Sequence, residues 1–307
     1  MSGKPLLMPV SRPAVPKPHF STFAVLSDYW ALTKPEVNSL ILITAFAGFY
    51  LGCEDGGRQF AFLGLFNTLL GTLLVARGTA TLNQYIERRS DAQMHRTSRR
   101  PLAAGRLEPP AVLIFGISLS VTGTTYLAVA TNVLASLLAL LTLLSYLFLY
   151  TPLKRRTPLC VFVGAFPGAM PPLIGWAAAS GRLNRDAWLL YAVLFLWQFP
   201  HFMAIAWMYR EDYDRAGYSM LPKGRARVAV VTLQTLLPLF ALVPVSIVQF
   251  PATAATIVYW MVRLLGLGFL YFGLEFMLQQ SRGAARRLLA ASILYLPLLF
   301  GLRIAFG

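Results

Sequence analysis

The chain has 307 residues, 57% of them hydrophobic and 13% charged, with a formal net charge of +15. Such an apolar composition excludes an ordinary soluble domain. The positive charge sits in alternate loops between apolar runs near 20 residues long, so the medium it meets is membrane lipid and not nucleic acid.

Residues 1–27 carry Pro5, Pro9, Pro13, Pro16 and Pro18 with Lys4, Arg12 and Lys17. They read as a disordered basic arm. The arm lacks a continuous apolar stretch followed by a small-residue cleavage site, and it is short for a mitochondrial presequence, so a bacterial protein is expected. Residues 28–307 read as a single domain, an all-α polytopic membrane bundle of nine transmembrane helices. Asp28 to Asn38 is an interfacial approach, with Trp30 as an aromatic anchor and Lys34-Pro35 at the entry.

The spans are predicted at about 38–53, 61–86, 111–130, 132–150, 159–179, 187–208, 228–249, 252–278 and 288–305. Thr131-Asn132 makes a tight hairpin between the third and fourth. Pro238, Pro244 and Pro297 lie inside spans, where kinks are tolerated. Cys53 and Cys160 lie in or beside apolar segments and form neither a disulfide framework nor a metal-ligand spacing. The arm and the loops after spans two, four, six and eight hold most of the Lys and Arg. The other side holds Arg58, Arg182, Arg185 and Arg303. This asymmetry puts the N-terminus in the cytoplasm and the C-terminus outside.

The second span ends in a polar stretch, Asn83 to Asp91. At about 100° per residue, Asn83, Glu87 and Asp91 fall within roughly 80° of one another on a helix. An amide and two carboxylates then share a face where hydrocarbon meets water. Oxygen ligands so placed suit a hard cation such as Mg²⁺, whose shell is completed by water and phosphate. Arg88, Arg89, Arg96, Arg99 and Arg100 follow and suit an anionic substrate. A solvated helix end with positive-inside arginines accounts for the same residues. Glu211, Asp212 and Asp214 form a second acidic stretch after the sixth span. Two such stretches, four spans apart on one side, suit two magnesium ions bridging a diphosphate. Local pairing with Arg210 and Arg215 is the alternative. His201 and Arg77 lie within spans, where polar side chains face the bundle interior.

Six groups of residues carry a resemblance. Leu32-Thr33-Lys34-Pro35 precedes the first span. Asn83, Glu87 and Asp91 are followed by Met94, Arg96-Thr97 and Arg100-Pro101-Leu102. Tyr150-Thr151-Pro152-Leu153-Lys154-Arg155-Arg156-Thr157 leaves the fourth span. Gly168-Ala169-Met170-Pro171-Pro172-Leu173-Ile174-Gly175-Trp176 lies in the fifth. Pro200-His201-Phe202 lies in the sixth, and Asp212-Tyr213, Ala216-Gly217 and Met220-Leu221-Pro222 follow it. This set, from about Trp30 to Pro222, resembles the intramembrane aromatic prenyltransferase superfamily and, within it, the protohaem IX farnesyltransferase (haem O synthase) branch. Two positions depart from the pattern. Glu87 stands where the family usually has the middle aspartate, and Glu211 where it commonly has the first of two.

The resemblance implies transfer of a farnesyl group from farnesyl diphosphate to the vinyl group of haem B, with addition of water. Mg²⁺, or Mn²⁺ in its place, would be held by Asn83, Glu87, Asp91, Glu211 and Asp212. Arg96, Arg100, Lys154 and Arg155 would grip the diphosphate. Tyr150 and Tyr213 would shield the cation or bind phosphate oxygen. His201 would contact the haem, and Trp176, Trp197 and Trp207 are candidates to line its cavity. The expected location is a bacterial inner membrane, with the active site on the cytoplasmic side. Contact with haem A synthase or with oxidase assembly is a further implication. Two readings stay open beside this one: a prenyltransferase acting on a quinone-precursor ring, and a non-catalytic haem or lipid carrier.

Overall fold

A computed structural model describes residues 22–57, 59–222, 224–250 and 255–306. Arg58, Lys223 and nearly all of the expected arm lie outside these residues. Helix α1 (Thr22–Leu32) begins inside the segment read as arm. The helices α2 (Pro35–Asp55), α3 (Phe62–Asp91) and α4 (Pro109–Ala130) follow. The chain then runs through α5 (Val133–Leu144), a π-helical turn over Ser145–Tyr150, and the short α6 (Thr151–Leu153). Next come α7 (Cys160–Gly168), α8 (Pro171–Ser180), α9 (Arg185–Met208) and α10 (Arg210–Arg215). The last three are α11 (Arg225–Val248), α12 (Thr256–Gln279) and α13 (Arg282–Phe306). Nine candidate membrane spans are present among the described residues, with α5–α6 and α7–α8 each counting as one.

Span boundaries move for local reasons. Pro35 starts α2 three residues before the expected span, at the first-turn position where a missing N–H costs nothing. α3 does not stop at residue 86 but carries its polar motif as helix to Asp91. Thirty residues make it about 45 Å long, more than a bilayer's hydrocarbon, so its last turns stand at the rim. The helices α11 and α13 run through Pro238, Pro244 and Pro297.

The fifth span is a broken helix. Pro171 and Pro172 supply no N–H, so α7 ends at Gly168 and α8 restarts at Pro171. Gln198 of α9 donates to the Ala165 carbonyl at 2.8 Å and satisfies part of the break. Such a break is tolerated at membrane depth because protein, not lipid, surrounds it. α8 lies directly on α2. A side chain at Gly48 would overlap the Pro172 carbonyl, and one at Gly175 the Ala45 carbonyl. Backbone therefore meets backbone at this crossing, and only glycine permits it. Trp176 and Trp207 are buried in packing.

Side chains such as Ile114, Val129, Phe148, Leu237 and Leu264 are exposed along the outer faces, as lipid contact requires. At the end opposite the basic loops, Asp55 accepts from Arg182 (3.2 Å) and Asn184 (2.7 Å), tying α2 to the turn before α9.

Candidate active site

At the end of the bundle that carries the basic loops, α2, α3, α5 with its π-helical turn, α7, α8 and α9 enclose a cavity of about 450 Å³. Its mouth is polar and its depth apolar. Of the residues singled out in the sequence, Asn83, Glu87, Asp91, Arg96, Arg100, Tyr150, Lys154, His201 and Tyr213 all line it.

The mouth is built from paired charges. Glu87, 7% exposed, accepts from the Lys154 ammonium at 2.9 Å. Asp91, 1% exposed, gives Oδ2 to Arg100 at 2.7 Å. Asp91 Oδ1 is equally buried and has no hydrogen-bond partner among the described residues. The Asn83 amide donates to the Thr151 hydroxyl (3.3 Å), which donates to the Tyr146 carbonyl (2.8 Å). That second bond spans five residues of the π-helical turn. The wider turn accommodates Pro152 and carries Tyr146 and Tyr150 to the cavity wall.

Two contributors escaped the sequence reading. Lys34, in the turn between α1 and α2, donates to Asn83 Oδ1 at 3.2 Å. Its backbone is left-handed (φ 49°), a strained conformation for lysine that aims the side chain inward. Burial, reinforced by the Arg100 and Lys154 charges, brings its pKa down to about 7. The sequence signals were its place directly before Pro35 and its membership of the Leu32–Pro35 group that carries the resemblance, neither of which pointed to the mouth. Tyr218 also lines the cavity, beside Glu87 and Ser90; burial and then the Glu87 charge raise its hydroxyl pKa. Lys154 experiences an opposing burial cost, which Tyr150 and Glu87 outweigh, so its pKa stands well above the usual lysine value.

The second acidic stretch is placed differently. Asp212 and Glu211 line a separate cleft of about 450 Å³ outside the mouth, with Arg210, Arg215 and Arg282. Asp212 accepts from the Arg96 backbone N–H (3.2 Å) and pairs with Arg215 (3.3 Å). The Glu211 side chain is 82% exposed and, among the described residues, pairs with Arg210 at 3.7 Å. Asp214 is held by Arg227 at 2.8 Å. Arg96 joins the two regions. It lies over the Tyr209 ring (4.7 Å) and donates to the Tyr213 hydroxyl (3.1 Å). Arg155 is outside the cavity and donates to the Ser90 hydroxyl. Arg77 lies over the Trp30 ring at 4.7 Å, away from the cavity lining. Of the three tryptophans considered, Trp197 lines the cavity.

Among the described residues no three His, Cys, Asp or Glu converge as a metal site. The donors on α3 nevertheless fit a hard cation. Asn83, Glu87 and Asp91 line one wall, and the unpartnered Asp91 Oδ1 is a buried acceptor awaiting positive charge. Arg96, Arg100 and Lys154 already outnumber the two carboxylates at the mouth, and Lys34 adds charge when protonated, a surplus that suits a polyanion.

The model of the UbiA prenyltransferase family matches residues 41–297. A protoheme IX farnesyltransferase from Solibacter usitatus is 46% identical over 284 residues, covering 90% of this chain and 97% of that protein. One from Aquifex aeolicus is 40% identical over 279 residues, covering 90% and 94%. Among solved structures, that of a digeranylgeranylglyceryl phosphate synthase superposes with a TM-score of 0.72 at 16% identity, covering 92% of this chain and 98% of its own. A UbiA homologue from Archaeoglobus fulgidus bound to GPP and Mg²⁺ gives 0.62 at 13% identity, covering 90% and 99%. At these identities the two structures establish a shared fold.

Proposed function

The chain belongs to the UbiA prenyltransferase family, and we propose that it transfers the farnesyl group of farnesyl diphosphate to a vinyl group of haem B, yielding haem O and diphosphate. One observation carries the reading: a single cavity joins a cation-rich mouth to an apolar depth. The mouth suits a diphosphate, and the apolar depth suits a prenyl chain. The end-to-end identity with protoheme IX farnesyltransferases supports haem as acceptor over a quinone-precursor ring.

Lys34, Arg96, Arg100 and Lys154 bind the diphosphate at the mouth, arginine through forked hydrogen bonds and lysine as a point charge. Asn83, Glu87 and Asp91 would hold Mg²⁺, or Mn²⁺ in its place, whereas Asp212 lines the separate cleft and holds the Arg96 backbone. Bound on α3, the metal supplies positive charge to the leaving diphosphate. Glu211 is left out of this set because its carboxylate stands in solvent. The C1–O bond of the donor breaks and its electron pair leaves with the diphosphate. The cationic side chains stabilise that developing charge. The Tyr146 and Tyr150 rings wall the allylic cation and exclude water. A vinyl π pair of haem B forms the new bond to C1. Water then adds to the resulting carbocation and loses a proton, leaving a hydroxyethylfarnesyl group.

By the positive-inside rule the mouth faces the cytoplasm of a bacterial cell, across its inner membrane. Expression in a membrane lacking its own haem O synthase, followed by mass analysis of extracted haems, tests the reading. The expected product is heavier than haem B by one farnesyl group and one hydroxyl. Haem B alone, from folded protein supplied with farnesyl diphosphate, would refute it.

A further inference from the structure

Gln198 of α9 is 3% exposed and lines the cavity beside the break in the fifth span. Its amide nitrogen donates to two carbonyls, Ala165 at 2.8 Å and Leu194 at 3.2 Å. Carbonyls only accept, so these two bonds fix which end of the amide is nitrogen. The oxygen is left over. Oε1 accepts no hydrogen bond among the described residues. It lies against Gly168, so closely that a side chain there would overlap it.

A second free acceptor stands at the same point of the wall. In a continuous helix the Gly168 carbonyl would accept from the N–H four residues on. That residue is Pro172, which has none. No other backbone N–H among the described residues donates to this carbonyl. Gly168, like Gln198, lines the cavity. Acceptors left without donors inside protein are costly unless a donor molecule comes to them. One water has two hydrogens and matches the two acceptors.

Its place relative to the reacting carbon gives this water a task. One turn earlier on α7, Gly164 lies against the ring of Tyr150, which walls the allylic cation in the reading above. Four residues separate the two glycines, about 6 Å along the helix. That distance accommodates the carbon attached to C1, its neighbour and one water beyond.

We infer that Gln198 Oε1, together with the Gly168 carbonyl, holds the water that adds to the haem-derived carbocation. The inference rests on the haem-acceptor reading. The vinyl π pair bonds to C1 of the prenyl donor and leaves the positive charge on the carbon next to the porphyrin ring. Both water hydrogens are engaged by acceptors, so an oxygen lone pair is turned to that carbon. The C–O bond forms, and the proton released passes to the departing diphosphate, a basic anion at the mouth. Without a held water, the same cation loses a proton from the neighbouring carbon to the same base. The product is then an alkene, lighter than the hydroxylated product by one water.

Mass analysis of haems extracted from membranes expressing each full-length variant tests this through the ratio of alkene to hydroxylated product. The wild type is expected to give the hydroxylated product, with its oxygen drawn from isotope-labelled water. Gln198→Met keeps the side-chain length without the amide and is expected to raise the alkene share by about tenfold. Gln198→Glu keeps an oxygen acceptor and is expected to keep the hydroxylated product. Gly168→Ala displaces Oε1 and is expected to shift the ratio as Gln198→Met does; it decides the matter if Gln198→Met does not accumulate. An unchanged ratio in Gln198→Met and Gly168→Ala would overturn the inference, even where total product falls, since a purely structural Gln198 would lower yield alone. So would equal ratios in Gln198→Met and Gln198→Glu. A wild type that makes no farnesylated haem would instead remove the acceptor reading on which the inference rests.

Discussion

The Lys154 ammonium and the buried Glu87 carboxylate meet at 2.9 Å across 67 residues of sequence, and the Lys154 side chain is itself mostly covered. Glutamate at this position was a departure from the family's usual aspartate. Removing one partner strands the other in a low-dielectric wall, which costs about 3–5 kcal/mol. Glu87→Gln and Lys154→Met should each lower the melting temperature and abolish transfer. The double variant should regain much of the melting temperature and none of the activity. Equal melting of all four proteins would show that the pair does not stabilise the fold.

Asp91 offers one oxygen to Arg100 and keeps the other free. If that free oxygen holds a divalent ion, chelation should lower the rate by several kcal/mol of barrier, roughly a thousandfold, and added Mg²⁺ should restore it. Asp91→Asn should bind the prenyl diphosphate no better with Mg²⁺ than with EDTA. Isothermal titration on both proteins checks this, and an intact Mg²⁺ response in the variant would contradict it.

Lys34 is held in a left-handed conformation that places its ammonium on Asn83. Lys34→Met removes one charge-assisted contact to the diphosphate, worth about 1.5–3 kcal/mol, or roughly 10–100-fold. The loss should fall on affinity for the prenyl diphosphate, leaving haem binding unchanged. Steady-state kinetics with each substrate varied in turn separates the two.

Glu211 and Asp212 are adjacent in sequence but not equivalent in structure. Glu211 is 82% exposed, so Glu211→Ala should change the rate less than about fivefold. Asp212 carries the Arg96 backbone, so Asp212→Ala should release Arg96 and depress transfer much further. Rates measured side by side in the same membranes decide this, and equal losses would argue that both acids work together.

At the crossing of α2 and α8, Gly175→Ala drives a methyl group into the Ala45 carbonyl. Overpacking of this kind costs about 1–3 kcal/mol. The variant should melt earlier in detergent, with haem and prenyl diphosphate sites impaired together. Gly181→Ala offers a contrast: nothing lies near a side chain there, and its cost comes from a left-handed backbone (φ 75°) alone.

Length and hydropathy were enough to find nine spans, because a helix that must cross lipid leaves an unbroken apolar run in the chain. Helical spacing was enough to align Asn83, Glu87 and Asp91, because those residues share one element. What the sequence could not reveal is which groups from different helices meet. Only packing brought Lys34 to Asn83, Lys154 to Glu87 and Ser292 to His201, over separations of 49, 67 and 91 residues. Packing also turned Glu211 to solvent while its neighbour Asp212 held Arg96, a difference of side-chain direction that composition does not encode. The broken fifth span was written locally in Pro171-Pro172, but its purpose was not. Gln198, on another helix, reaches Ala165 and helps to close the break inside surrounding protein. Local periodicity is set by the chain's own geometry, whereas the pairing of charges and the direction of a buried amide depend on partners that tertiary folding alone supplies.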